Sequence, residues 1–225
     1  MATEADLRER RRWAYENPRP DVQALVPPTA RRVLDLGCSS GALGAQIKRR
    51  QDAFVVGVEI VPEYSAAAQE RLDRVLMGDA EHLLCDGTAA ELGPFDCVLA
   101  ADVLEHLRDP WKALRLAVDA LCPGGTAVVS LPNVRYWETF FQLAVRGSWP
   151  RRSEGIFDRT HLRWFTLRDA LDLMAEAGLE VDRVSPQYRL KPHDWRTARQ
   201  GAWFARTPLR ELFVFQWVLS GLKRD

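Results

Sequence analysis

The chain has 225 residues, 47% of them hydrophobic, enough to bury a sizeable core and in favour of one α/β domain over residues 1–225 rather than two. Lysine plus arginine and aspartate plus glutamate both number 31, so no global field draws the protein to nucleic acid or an anionic membrane. The cysteines, Cys38, Cys85, Cys97 and Cys122, show no CxxC pair or metal-ligand spacing, no secretory leader opens the chain, and no apolar run approaches the roughly 20 residues of a membrane helix. A reduced cytoplasm is expected, with no metal, membrane or nucleic-acid partner.

In chain order, residues 4–16 are dominated by charge and alanine, with Arg8, Arg10, Arg11 and Arg12 clustered, and read as a short exposed helix ending at Asn17-Pro18. Asp21 is placed as the cap of a short helix over residues 22–26, and Pro27-Pro28 forces an extended entry into a first strand at 32–37. Apolar runs suited to buried parallel strands recur at 54–59, 74–77, 95–100 and 126–131, separated by helix-like stretches. Asp109 as N-cap and Pro110 at the first helical position open a helix that reaches Leu121 and stops at Cys122-Pro-Gly-Gly125. Thr166 and Asp169 form a box-like start for a helix over 167–177, with Gly178 at the left-handed cap. Residues 181–188 and 213–222 supply two more strands, the greasy stretch 212–219 lying in the second. The sum is an α/β fold with a doubly wound, mostly parallel seven-stranded sheet and helices on both faces. Residues 1–30 form an N-terminal helical cap and 31–133 the core, while 134–165 and 189–211 are segments this core does not need.

The strongest local signal is the run from Val33 to Gly44, Val-Leu-Asp-Leu-Gly-Cys-Ser-Ser-Gly-Ala-Leu-Gly, a strand entering a glycine-bearing turn and then a helix. Gly37 and Gly41 permit close backbone approach around Cys38 and Ser39, and Asp35 can accept from an ammonium group. Glu59, with Ile60 beyond it, closes the second strand where an acid can take both ribose hydroxyls. Asp79, followed by Ala80, ends the third strand facing an adenine amino group, and Asp102 closes the fourth. Four acids at the carboxyl ends of successive strands converge on one crevice.

These four segments resemble the motifs of class I S-adenosylmethionine (SAM)-dependent methyltransferases, in order and at ordinary spacing over residues 31–133. The resemblance implies a Rossmann-like sheet with SAM as cofactor. Asp35 and the turn of Gly37, Cys38, Ser39 and Gly41 would hold the methionine part, Glu59 with Ile60 the ribose, Asp79 with Ala80 the adenine, and Asp102 the same crevice. Ser39 stands where the family usually has a glycine. A nicotinamide dehydrogenase would want GxGxxG, which Gly-Cys-Ser-Ser-Gly-Ala does not match. A non-catalytic SAM-binding protein stays open.

After Asn133 the composition shifts: six of the eight tryptophans, Trp137, Trp149, Trp164, Trp195, Trp203 and Trp217, lie beyond it. Arg183, Arg189, Lys191, Arg196, Arg199, Arg206 and Arg210 face the single acid Asp194 in residues 183–210. An aromatic, arginine-rich lid suits a planar or sugar acceptor carrying phosphate or carboxylate, and packing aromatics with solvated arginines is the equal alternative. The segment Gly155-Ile-Phe-Asp-Arg-Thr-His-Leu-Arg-Trp-Phe-Thr166 resembles one from a bacterial subgroup of these enzymes associated with glycan and natural-product assembly. The expected reaction is O-methylation of a small hydroxylated acceptor, an anionic sugar or secondary metabolite, with N-methylation as the rival. If a hydroxyl must lose its proton, His161 is the first candidate base or acceptor ligand and His106 the second. His82 and His193 are set aside, and Tyr15 reaches the cofactor only if the N-terminal helix closes over it.

Overall fold

The computed structural model describes residues 16–189 and 209–224. Seven strands, β1 (Arg32–Leu36), β2 (Phe54–Glu59), β3 (Arg74–Met77), β4 (Phe95–Ala101), β5 (Leu121–Pro132), β6 (Leu179–Tyr188) and β7 (Val214–Lys223), form one sheet in the order β3-β2-β1-β4-β5-β7-β6. The first five run parallel, and β7 inserts antiparallel between β5 and β6. The central strands are apolar on both faces because helices cover both: Val33 and Val55 pack into one cluster with Ile47, and Leu34 and Val56 into the other with Leu114 and Leu173. The strand order reverses between β1 and β4, which remain parallel, so the carboxyl ends of those strands open the crevice where such sheets bind ligands.

The helices are α1 (Pro20–Gln23), α2 (Ala42–Arg50), α3 (Pro62–Gln69), α4 (Ala80–Cys85), α5 (Pro110–Asp119), α6 (Trp137–Phe140) and α7 (Leu167–Glu176). The capping signals read from the sequence at α5 and α7 are present. Asp109 accepts from the Lys112 amide at 3.0 Å, Thr166 and Asp169 complete a reciprocal capping box, and Gly178 sits at φ 84°.

Several boundaries differ from the sequence reading. Helix α5 ends at Asp119, and Leu121 already pairs with Phe95, so Cys122–Gly125 is an irregularity inside β5 rather than a turn ahead of it. Its turn chemistry was read correctly, with Gly124 at φ 70°, but the ladder closes on both sides of it. In α1, Arg19 is the capping position and Asp21 lies in the first turn, because Asp21 is bonded to the Arg19 guanidinium. Strands β5 and β6 also start earlier than expected. The proposed helix at 4–16, with Tyr15, and most of segment 189–211, including Lys191, His193, Trp195, Arg196, Arg199, Trp203 and Arg206, lie outside the described residues.

Candidate active site

The turn after β1 is shaped by three alternate left-handed positions, Gly37 (φ 67°), Ser39 (φ 50°) and Gly41 (φ 77°). A side chain at Gly41 would lie 3.2 Å from the Ala68 backbone, so glycine is required there for space as well as conformation. Ser39 tolerates its conformation because the turn is held from outside: Glu59 Oε2 accepts from the Ser39 amide at 2.8 Å, and Glu59 Oε1 from the Val61 amide at 2.8 Å. One carboxylate thus fastens the β1 turn to the loop leaving β2. Cys38 turns its thiol inward, into the space left by Gly57, where an added Cβ would meet its sulfur at 2.5 Å. Only the Cys38 backbone is placed to face a ligand.

Asp35 is 1% exposed on β1, and its Oδ2 has no hydrogen-bond partner. Burial, reinforced by the negative charge of Glu59, pushes this carboxyl up to about 7. A buried carboxylate with an unanswered oxygen beside a glycine turn fits an ammonium group such as that of SAM. Farther along the strand ends, Ile60 and Met77 are each 61% exposed, apolar surfaces suited to a flat base. Asp79 caps α4 through the Glu81 amide at 2.8 Å, with Ala80 buried behind it. Glu81, which sequence reading passed over, accepts from the amides of Arg108 (2.9 Å) and Asp109 (2.7 Å), tying this loop to the one leaving β4.

Asp102 ends β4 at φ 58°, a strained conformation for a non-glycine residue. Its carboxylate accepts from Arg19, from Gln216 and, at 3.0 Å, from Ser130 Oγ. Arg19 is also left-handed (φ 49°) and brings the N-terminal segment across the crevice onto strands β4, β5 and β7. Burial opposes its charge, but Asp102 and Asp21 outweigh that and raise its pKa. Asp21 is correspondingly held low by the Arg19 bond, against the effect of burial. Nothing in the sequence pattern singled out Arg19, since apart from Asp21 its side-chain partners lie 83, 111 and 197 residues away.

The two histidine candidates meet. His106, in the short turn Leu104–His106 after β4, and His161 pack edge to face with ring centroids 4.7 Å apart. The amides of Leu162 and Arg163 donate to the Glu105 carbonyl at 2.8 and 3.1 Å, which docks segment 155–163 on that turn. His161 is 9% exposed; Nδ1 lies 3.3 Å from the Ile156 carbonyl and Nε2 3.9 Å from Glu105 Oε1. Burial, then His106, lowers the His161 pKa. Glu105 is buried with both carboxylate oxygens unbonded, and burial, then Asp102, raises its pKa well above the usual range. One ligand atom each of Glu105, His106 and His161 fall within 4.8 Å of one another, a gathering the sequence spacing did not foretell. Burial thus favours the protonated form of a carboxyl that stands beside two imidazoles.

The described tryptophans beyond Asn133 pack on neighbours. Trp217 is buried, Trp137 adjoins the cluster of Tyr136, Ile156 and Phe215, and Trp149 stacks edge-on against Phe157 and Trp164. Arg152 pairs with buried Glu138 at 2.7 Å, and the Arg189 guanidinium lies 4.3 Å from the centre of the Phe215 ring. Among the described residues no helix is long and apolar enough to cross a membrane.

Residues 7–184 match a family described as a methyltransferase domain. A ubiquinone biosynthesis O-methyltransferase of Cereibacter sphaeroides is 31% identical over 179 residues, 78% of this chain and 71% of the relative. A second protein so named, from Xanthomonas axonopodis pv. citri, is 33% identical over 129 residues, 56% of this chain and 53% of its own. Among solved structures, an SAM-dependent methyltransferase from Thermotoga maritima shares the fold with a TM-score of 0.66 at 22% identity, covering 97% of this chain and 96% of that one. The Burkholderia thailandensis 1,6-didemethyltoxoflavin N1-methyltransferase, solved with that molecule and S-adenosylhomocysteine, has a TM-score of 0.59 at 20% identity, covering 96% and 83%. The chain belongs to the methyltransferase-domain family, a methyltransferase with the fold of enzymes that depend on SAM.

Proposed function

We propose that this protein transfers a methyl group from SAM to a hydroxyl oxygen of a small acceptor. The observation that carries the reading is the crevice itself: a left-handed glycine turn, the unanswered Asp35 oxygen and Glu59 converge at the carboxyl ends of β1 and β2. SAM, when bound, supplies a methyl group on a positively charged sulfur. Asp35 receives its ammonium group, the backbone of Gly37, Cys38, Ser39 and Gly41 lines its methionine part, and Glu59 takes the ribose hydroxyls with lone pairs left over from its two amide bonds. Ile60 covers the nucleoside, and Asp79 and Ala80 border the base. Asp102 holds the floor of the crevice through Arg19 rather than serving SAM alone.

Transfer to oxygen is favoured because relatives 31% identical carry the name O-methyltransferase, and because two imidazoles stand together beyond the carboxyl end of β4, a pair able to take a hydroxyl proton. The acceptor is a hydroxylated sugar or secondary metabolite, with anionic groups met by Arg189 and by Arg196, Arg199 and Arg206. The setting is cytoplasmic, in keeping with four unpaired cysteines. The test is calorimetry with SAM, followed by a screen of phenolic and sugar hydroxyls against primary amines, read by mass spectrometry. A methyl ether product supports the reading, a methylated amine replaces it with N-methylation, and SAM binding without turnover on either class replaces it with a non-catalytic role.

A further inference from the structure

We propose that His106 is the catalytic base of this transfer and that Thr160 and Asp158 are its positioning residues; the assignment rests on the methyl-transfer reading above. It follows from counting hydrogens. Thr160 has one hydroxyl hydrogen, and it is donated to Asp158 Oδ1 over 2.6 Å, a carboxylate oxygen that also accepts the Thr160 amide at 2.8 Å. Toward His106 Nδ1, 3.0 Å away, the same hydroxyl oxygen has only lone pairs to offer. Nδ1 must therefore carry the ring hydrogen. In the neutral imidazole Nε2 is then the bare nitrogen, on a partly buried residue just past the carboxyl end of β4.

His161 is held in the same tautomer by the Ile156 carbonyl, which can only accept, but its Nε2 is turned toward buried Glu105. That nitrogen lies 3.9 Å from Glu105 Oε1 on a residue only 9% exposed, so it faces a buried side chain rather than an acceptor molecule. The His161 edge meanwhile packs against the His106 ring and restricts its rotation. Of the two imidazoles, His106 is thus the one whose lone pair is both oriented and reachable, which reverses the order expected from sequence.

In the reaction the acceptor O–H hydrogen passes as a proton to His106 Nε2, and an oxygen lone pair forms the bond to the methyl carbon. The carbon–sulfur pair stays on sulfur, which becomes a neutral thioether. The imidazolium keeps its Nδ1–H on Thr160, whose hydroxyl points at the Asp158 negative charge, so the cation is stabilised as it forms. Water takes the Nε2 proton between turnovers.

The tautomer is measurable without any acceptor, from long-range proton–nitrogen correlations of the full chain labelled with 15N-histidine, with the His106 signals assigned by their loss in His106→Gln. Above the histidine titration, wild type should show His106 protonated at Nδ1. Thr160→Val should move the ring toward the Nε2–H form and Thr160→Ser should restore the wild-type pattern. With an acceptor in hand, Thr160→Val and Asp158→Asn should lower kcat by about 10-fold or more and shift the acidic limb of the pH profile, leaving SAM affinity unchanged. An Nε2–H ring in wild type, an unmoved tautomer in Thr160→Val, or a kcat indifferent to His106→Gln overturns the assignment even in a working methyltransferase. Nitrogen signals of His106 and His161 that shift together on adding zinc would make the trio a metal site and overturn it too. Failure of SAM to bind would instead strike the methyl-transfer reading, and the calorimetry shows which has failed.

Discussion

The proposed cofactor side and the proposed acceptor side of this crevice are built by different means. On the cofactor side, each functional group sits at a strand end or in the turn after it, and its nearest partners are local or one βα unit away: Glu59 reaches Val61, two residues on, and Ser39, 20 residues back. On the acceptor side, contacts join distant parts of the chain, His106 to Thr160 over 54 residues and Arg19 to Asp102 over 83. A site of the first kind is written in short segments. A site of the second kind exists only once the insertion at 134–165 and the N-terminal segment have folded onto the sheet.

The largest test of this contrast is the pH response of Asp35. Its folded pKa of about 7 lies above the ordinary carboxyl value, so its contribution to stability is complete below roughly pH 4 and is lost as pH rises toward 7. The loss amounts to up to about 4 kcal/mol in SAM-free protein, since each pKa unit is worth about 1.4 kcal/mol. Asp35→Asn should abolish that fall in denaturation titrations. Because the SAM ammonium prefers the ionised form, binding below pH 7 should release a proton, seen as a buffer-dependent calorimetric enthalpy. A flat stability profile and no proton release would place Asp35 outside the SAM contact.

Next in size, Glu59→Ala should weaken SAM by about 1.5 to 3 kcal/mol, because charged hydrogen bonds to two hydroxyls are lost. It should also lower the melting temperature, since the Ser39 and Val61 amides lose their acceptor. Glu59→Gln, whose carbonyl still accepts one amide, should fall between. An unaltered dissociation constant in folded Glu59→Ala would reduce Glu59 to a brace for the β1 turn and break the cofactor half of the comparison.

The legibility of the chain divides along the same line. All seven strands were readable because buried parallel strands write themselves as continuous apolar runs, and Asp109-Pro110 and Thr166 with Asp169 mark helix starts through a few adjacent residues. The acids Asp35, Glu59, Asp79 and Asp102 stand out in the sequence because each lies at or near the end of an apolar strand run, and their contact with SAM is a proposal. What the strand-end rule could not show is that Cys38 points inward, that Asp102 is claimed by Arg19, or that Glu105 is buried between two histidines. Glu105 reads in sequence as one more charged residue on a polar turn. Its burial depends on segment 155–163, whose amides bind the Glu105 carbonyl from more than 50 residues away. The shift at Cys122–Gly125 was missed for a related reason: a Pro-Gly-Gly run looks the same ahead of a strand or inside one, and only the partner strand decides.

The smallest effect tests whether the acceptor side is a separable layer. Segment 134–165 is pinned to the sheet at its ends by the bridge between Asn133 and Phe165, with the Val134 amide donating to the Phe165 carbonyl at 3.0 Å. Thr166 follows at once, its hydroxyl accepting from the Asp169 amide while Asp169 accepts from the Thr166 amide at 2.9 Å. Thr166→Ala removes half of this box and should cost about 1 kcal/mol of stability, as loss of a capping hydroxyl typically does. Thr166→Ser should recover most of it. Since the cap anchors the far end of the segment that carries Asp158, Thr160 and His161, the alanine variant should raise the acceptor KM modestly and leave the SAM dissociation constant unchanged. Equal losses in both parameters would mean that the two halves of the crevice move as one body, and the contrast between them would then describe how the site is encoded but not how it works.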